Sequence, residues 1–237
     1  DLYRLSEQKT NKDFVFWPFY SGSLKMKWED IIKAKFQRRN DKLLILHCPS
    51  NENLKGTNKI TKVINKLLQS NLQVTNTQLN TQLNTQLNTQ MKAQLNTQVN
   101  PQLKTQLNTK FEYIVTVPPM NHNAIMELQK EAVIYIDQLT DNIGTFGMSS
   151  IEGMSFGNIV LSSMLNIEQS FFTMNDINKA TFPIHSIKNE QDLEKILLEI
   201  MNKPVEQLMN DNKETYEWYI KNMGPQKFCG LFEKSFT

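Results

Sequence analysis

Residues 132–163 read AVIYIDQLTDNIGTFGMSSIEGMSFGNIVLSS, and this stretch decides the fold class. Ala132 to Ile136 reads as a strand. A loop with a Gly at each end, Gly144 to Gly147, follows it. Met148 to Phe156 then reads as a short helix and Asn158 to Ser162 as the next strand. Two apolar strands joined through a loop and a helix form the repeating unit of a parallel sheet.

The same alternation runs outward in both directions. Upstream, Leu43 to Leu46 is a short, fully apolar run, the mark of a strand buried on both faces. The loop after it closes with Lys55-Gly56-Thr57. Ile60, Val63, Ile64, Leu67 and Leu68 then share one helical face. Tyr113 to Val117 reads as a strand, and Ala124, Ile125 and Leu128 as a short helix. Downstream, Leu193, Ile196, Leu197, Ile200 and Met201 mark another one-faced helix, with final helices around Tyr216 to Lys221 and Gln226 to Glu233. The pattern predicts an α/β fold, a Rossmann-like parallel sheet with helices on both faces. Right-handed crossovers place every strand's C-terminal end on one edge, where ligands bind. The loops that matter are therefore Cys48 to Gly56, Gln138 to Gly147 and the segment after Ser162.

One segment breaks the alternation. From Asn76 to Thr109 the chain cycles through Asn-Thr-Gln-Leu, with variations around Met91 and Pro101. A four-residue period winds its Leu stripe around a helix but keeps it on one face of a strand. Asn and Thr form helices poorly, and Pro101 interrupts either choice. The tract reads as a low-complexity insertion at residues 76–109 of a domain spanning 41–237. Residues 1–40 read as an interdomain linker and the remnant of a preceding domain.

Composition removes several classes. A formal net charge of +2, with Lys and Arg spread along the chain, gives no reason to invoke nucleic acid. No apolar run is long enough to span a bilayer, so no transmembrane segment is expected, and peripheral membrane contact stays open. Two cysteines, Cys48 and Cys229, make no disulfide framework and read as reduced, buried thiols. His47, His122 and His185 sit at no metal-ligand spacing and read as structural. Phe171, Phe172 and Met174 read as core or interface filling. The chain opens on Asp1, with no initiator Met and no leader pattern, which reads as a cytoplasmic fragment.

Two loops carry the candidate chemistry. The first, HCPSNENLKGT from His47 to Thr57, ends in a Lys-Gly pair directly before a helix. Free N–H groups at a helix start, together with a lysine, suit a diphosphate. In the second loop the backbone around Gly147, Met148 and Ser149 opens a helix and points N–H groups at any anion in the crevice. Glu152, about one turn further on, is placed to accept hydrogen bonds from two ribose hydroxyls.

Together the loops resemble the C-terminal domain of glycosyltransferases with the two-domain GT-B architecture, specifically the family 4-like group (glycosyl transferases group 1). The resemblance runs from about Trp17-Pro18 to the C-terminus. One subset of that family reads His-Ala-Pro-Ser-Asn-Arg, a short gap, then Lys-Gly-Thr. Here the counterpart is His47-Cys48-Pro49-Ser50-Asn51-Glu52, then Lys55-Gly56-Thr57. The subset's Asp-Gln-Leu strand end is Asp137-Gln138-Leu139, and its Gly-Xaa-Tyr-Gly loop is Gly144-Thr145-Phe146-Gly147. Its Glu-Ala-Met-Ala-Xaa-Gly-Xaa-Pro-Val segment is Glu152 to Val160, with Ile159 in place of the Pro. The family's loop Arg falls at Glu52, where a carboxylate repels phosphate.

The resemblance implies the donor-binding half of a retaining, hexosyltransferase-like enzyme that uses a nucleotide sugar. Lys55, Ser50, Asn51, Gly147 and Met148 are the implied diphosphate contacts, and Glu152 the ribose contact. No catalytic residue is identified. No cofactor or metal is implied, because positive side chains and helix dipoles stabilise the departing diphosphate. The implied partners are the nucleotide sugar and an N-terminal acceptor domain, without which the chain is expected to be inactive. The alternative is a degenerate, non-catalytic Rossmann-like domain that works as an interaction protein through its repeat. A nucleotide-sugar epimerase on a similar sheet is a third reading, against which the absent Gly-Xaa-Gly-Xaa-Xaa-Gly turn counts.

Overall fold

The computed structural model describes residues 26–37, 42–68, 110–116, 121–140, 146–164, 172 and 177–224. Its elements are, in order, α1 (Trp28–Phe36), β1 (Leu43–His47), α2 (Glu52–Lys55), α3 (residues 57–68), β2 (Phe111–Val115), α4 (His122–Glu131), β3 (Ala132–Gln138), α5 (Met148–Ser155), β4 (Ile159–Ser162), β5 (His185–Ser186), α6 (Glu190–Met201) and α7 (Val205–Met223). The repeat at 76–109, Gly144, Phe171, Met174, Cys229 and the helix expected over Gln226 to Glu233 lie outside the described residues.

The five strands form one sheet in the order β2-β1-β3-β4-β5, and every pairing is parallel. The fold is α/β, as the alternation predicts. All five residues of β1 and all seven of β3 are buried, which is the condition that gives a strand an unbroken apolar run. Successive β1 side chains go to opposite layers. Leu43 and Ile45 pack with Ile60, Val63, Ile64 and Leu67 of α3 and with Leu193 and Leu197 of α6. Leu44 and Leu46 pack with Ile151 and Met154 of α5 and with Tyr219 and Met223 of α7. Each such fully buried aliphatic side chain contributes about 1.5–3 kcal/mol, so the two layers supply most of the drive to fold.

β3 does not alternate cleanly, and its register explains why. Leu44 pairs with Ala132, but the next residue, Ile45, pairs with Ile134, so Val133 is an extra residue. A bulge of this kind puts two successive side chains on one face. Val133 and Ile134 accordingly both join the α3/α6 layer, whereas Ala132 and Tyr135 join the other. Bulged carbonyls need other donors. The Lys35 ammonium of α1 donates to the Ala132 carbonyl and to Asn158 Oδ1. Asn212 Nδ2 of α7 donates to the Val133 carbonyl at 3.0 Å. Burial holds the Lys35 pKa well below its ordinary value, since no water solvates the charged form.

These polar anchors account for two elements that the apolar pattern conceals. Trp28–Phe36 lies within the stretch read as linker, yet it forms α1 and packs against α4 and α7. Its buried residues are Ile31 and Lys35, so half of the inward stripe is charged in sequence. The helix expected around Tyr216 to Lys221 begins at Val205, because its buried stripe includes Asn212 and Thr215. β5 has two residues, both exposed, and leaves no apolar trace.

Candidate functional site

The strand order reverses between β1 and β3. From β1 the sheet extends to β2, whereas from β3 it extends to β4 and β5. A crevice outside the C-terminal ends of β1 and β3 is where open parallel sheets bind ligands. Both motif loops leave the sheet there.

The first loop is held by its own turn chemistry. Asn51 caps α2, its side-chain oxygen accepting from the Leu54 N–H at 3.0 Å. The sequence reads this stretch as loop, and α2 is a single turn of four residues. It stops at Gly56, whose φ of 69° is left-handed. The Leu139 N–H donates to the Lys55 carbonyl at 3.0 Å. A Cβ on Gly56 would lie 2.0 Å from the Leu139 carbonyl oxygen. The Lys-Gly pair is thereby stitched to the end of β3, and the lysine side chain is delivered to Asp137.

Asp137 sits at a second register irregularity, between Ile136 and Gln138 against β4. It is 1% exposed. Its Oδ1 accepts from Lys55 Nζ at 2.6 Å and from the Ser149 hydroxyl at 2.8 Å. Its Oδ2 accepts from the Gly147 N–H and the Ser150 hydroxyl, each at 2.8 Å, and from the Ser162 hydroxyl at 3.4 Å. Burial pushes its pKa up, but the Lys55 charge and the surrounding donors outweigh burial and hold the carboxyl below its ordinary range. Lys55 also donates to Gln138 Oε1 at 3.0 Å.

His47 and Glu152 complete the wall. His47 is fully buried, with Nδ1 2.7 Å from the Ile136 carbonyl and Nε2 2.9 Å from the Thr57 hydroxyl. A carbonyl can only accept, so Nδ1 carries the proton and the neutral ring takes the Thr57 proton at Nε2. Burial lowers the His47 pKa. With both nitrogens committed, His47 is a brace between β3 and α3 and not a free base. Glu152 on α5 has a side chain 17% exposed, with Oε1 3.8 Å from His122 Nε2 at the start of α4. Burial raises its pKa, the His122 charge lowers it, and Asp137 raises it further; the net shift is upward. Cys48 is a free, buried thiol whose pKa burial pushes up to about 11.

The structure brings Lys55 and Gly147 together, since a Cβ on Gly147 would lie 3.0 Å from Lys55 Nζ. The Gly147 N–H, read from sequence as a phosphate donor, is already bonded to Asp137. Met148 opens α5 and is 41% exposed. Ser50 and Asn51 are exposed, and the Asn51 side-chain oxygen is occupied in capping. Glu52 lies in the first turn of α2, where a carboxylate suits the positive helix end. Sequence reasoning gave Asp137 a place in a motif but no role, assigned none to Ser150 or Ser162, and used only the backbone of Ser149, not its hydroxyl. The available signal was the carboxylate itself, closing an otherwise apolar buried strand.

Among the described residues, the C-terminal ends of β1 and β3 bring together the Lys55 ammonium, the α5 N-terminus and the partly exposed Glu152 carboxylate. Among the described residues no group of three or more His, Cys, Asp and Glu could hold a metal ion. No described helix is long and apolar enough to cross a membrane. An open depression of about 450 Å³ lies elsewhere, on α6, lined by Gln191, Glu194, Lys195, Leu198, Glu199 and Asn202, and it contains none of the motif residues. The sequence matches no protein-family model and no curated protein.

Proposed function

We propose that the crevice between β1 and β3 is a nucleotide-sugar site, and that the chain is the donor-binding domain of a retaining glycosyltransferase. In this reading the sheet is the Rossmann-like C-terminal half of a GT-B fold, with the repeat as an insertion. The observation that supports it most is the meeting of the two motif loops. Lys55 and the α5 N-terminus, at Gly147 and so 92 positions further along the chain, converge at the point where the strand order reverses. That is the placement a diphosphate needs, between an ammonium and the first turn of a helix.

The chemistry follows from charge. Departure of a nucleoside diphosphate builds negative charge on its phosphates, and Lys55 with the α5 dipole stabilises that charge without a metal. Glu152 accepts from the ribose hydroxyls. The group that meets the acceptor hydroxyl belongs to an N-terminal acceptor domain, and the enzyme works in the cytoplasm, at most in peripheral contact with a membrane. Titration calorimetry with UDP-, GDP- and ADP-sugars tests the assignment. Binding of one of them that Lys55→Ala abolishes supports it; no heat with any of them refutes it.

A second reading is a non-catalytic Rossmann-like domain acting as an interaction protein through its repeat. The observation in its favour is that Lys55 is already bound to a buried carboxylate.

A further inference from the structure

We infer that Asp137 is an internal competitor for anions: its carboxylate occupies the donors that a phosphate would take, and an anionic ligand binds by drawing Lys55 away from it. The inference rests on the reading of the crevice as a nucleoside diphosphate site. The donors on Asp137 are an ammonium, two serine hydroxyls at 2.8 Å and the Gly147 N–H at the start of α5. This is the donor chemistry of a phosphate cradle, filled by the protein's own carboxylate.

Three features make the exchange feasible. First, Asp137 has a surplus of donors. If Lys55 turns away, Oδ1 keeps Ser149 and Oδ2 keeps Gly147 and Ser150, so the buried charge is not orphaned. Second, the lysine is reachable. Its side chain is 13% exposed while that of Asp137 is fully buried, so a ligand coming from solvent reaches the lysine side chain before the carboxylate. Third, a lysine has a flexible four-carbon stem and a non-directional charge, which suits a change of partner. The pair is neutral overall, so an arriving monoanion gains little. A diphosphate, with two or more negative charges, outcompetes a single carboxylate.

Calorimetry with inorganic pyrophosphate on the wild-type chain, Asp137→Asn and Lys55→Met tests the exchange, with circular dichroism as the folding control. Asp137→Asn should bind pyrophosphate at least ten-fold more tightly than wild type, and Lys55→Met should not bind it. Tighter binding by Asp137→Asn supports the inference. Wild-type binding that Asp137→Asn weakens or leaves unchanged overturns this inference alone. No binding of pyrophosphate or of nucleoside diphosphates by either protein overturns it together with the nucleotide reading. Should Asp137→Asn fail to fold, the Asp137 carboxyl ¹³C resonance of the wild-type chain reports the same event. A shift on saturation with pyrophosphate supports the exchange, and an unmoved resonance in the bound state overturns it.

Discussion

The ammonium of Lys55 and the carboxylate of Asp137, 82 positions apart in the chain, meet at 2.6 Å over the C-terminal edge of the sheet. One partner comes from the turn after β1 and the other from the end of β3, so the pair joins the two central strands where the crevice opens. The same carboxylate accepts the Gly147 N–H that begins α5. A single buried charge thus sets the position of both motif loops.

Removing the lysine has a bounded cost. Lys55→Met should destabilise the chain by about 1.5–3 kcal/mol, the range for losing hydrogen bonds to a charged group. It should fall short of the roughly 3–5 kcal/mol of an uncompensated buried charge, because Asp137 keeps its serine and backbone donors. The acid side sharpens the test. In the wild type the folded carboxyl lies below its ordinary value of 3.8, so its contribution is complete above that value and is lost as pH falls through the folded one. Without Lys55 burial has less opposition, the folded value moves up toward the unfolded one, and the acid-side loss of stability due to Asp137 should shrink. Urea unfolding across the acid range measures both.

The turn between α2 and α3 tolerates no side chain. Gly56→Ala should cost more than the roughly 1–2 kcal/mol of a left-handed alanine. A Cβ there would lie 2.0 Å from a backbone oxygen that cannot swing aside. The loop must lift off β3, carrying Lys55 with it. Thermal unfolding should show the loss of stability, and any anion binding should fall in parallel.

His47 sets a second pH dependence. Its folded pKa is lowered from 6.5 by burial, so the folded state disfavours the extra proton. Its stabilisation is complete above 6.5 and is lost as pH falls from there through the folded value. The unfolding midpoint should therefore decline below about pH 6.5 in the wild type. In His47→Gln that part of the slope should disappear, at some cost in stability at pH 8 from the imperfect match to the Ile136 carbonyl and the Thr57 hydroxyl.

Much of this architecture is legible in the chain itself. The buried runs of β1, β3 and β4 announce a parallel sheet, because only strands covered on both faces lose their alternation. The Lys-Gly pair and the Gly147 helix start are visible as loop-to-helix junctions at strand ends. What the sequence hides is buried polarity. Lys35 and Asn212 face inward to serve the carbonyls of a bulge, so α1 and the first half of α7 lack a one-faced apolar pattern. Asp137 is hidden for the same reason. Its partners Lys55, Ser149 and Ser150 become neighbours only when β1, β3 and α5 are assembled, and no local spacing encodes that meeting.

The proposed role of Glu152 gives a ligand-side test. If its carboxylate accepts from ribose hydroxyls, the preferred nucleoside diphosphate should bind roughly 10–100-fold more tightly than its 2′,3′-dideoxy form, the equivalent of about 1.5–3 kcal/mol for a charged hydrogen bond. Glu152→Gln should lose most of that preference. Because burial raises the Glu152 pKa above 4.5 with only partial relief from His122, the preference should also fade as pH drops through the folded value. Equal affinity for the two nucleotides in the wild type would remove Glu152 from the site.

The proposed occupant of the crevice between β1 and β3 is a nucleoside diphosphate. A ¹H–¹⁵N NMR titration of the wild-type chain with UDP, GDP and ADP tests it most directly. One of them should shift the amides of Lys55, Gly147, Met148 and Ser149 together, in a saturable manner, and leave those of α6 unmoved. No shift with any of the three, or shifts confined to residues away from these two loops, would contradict it.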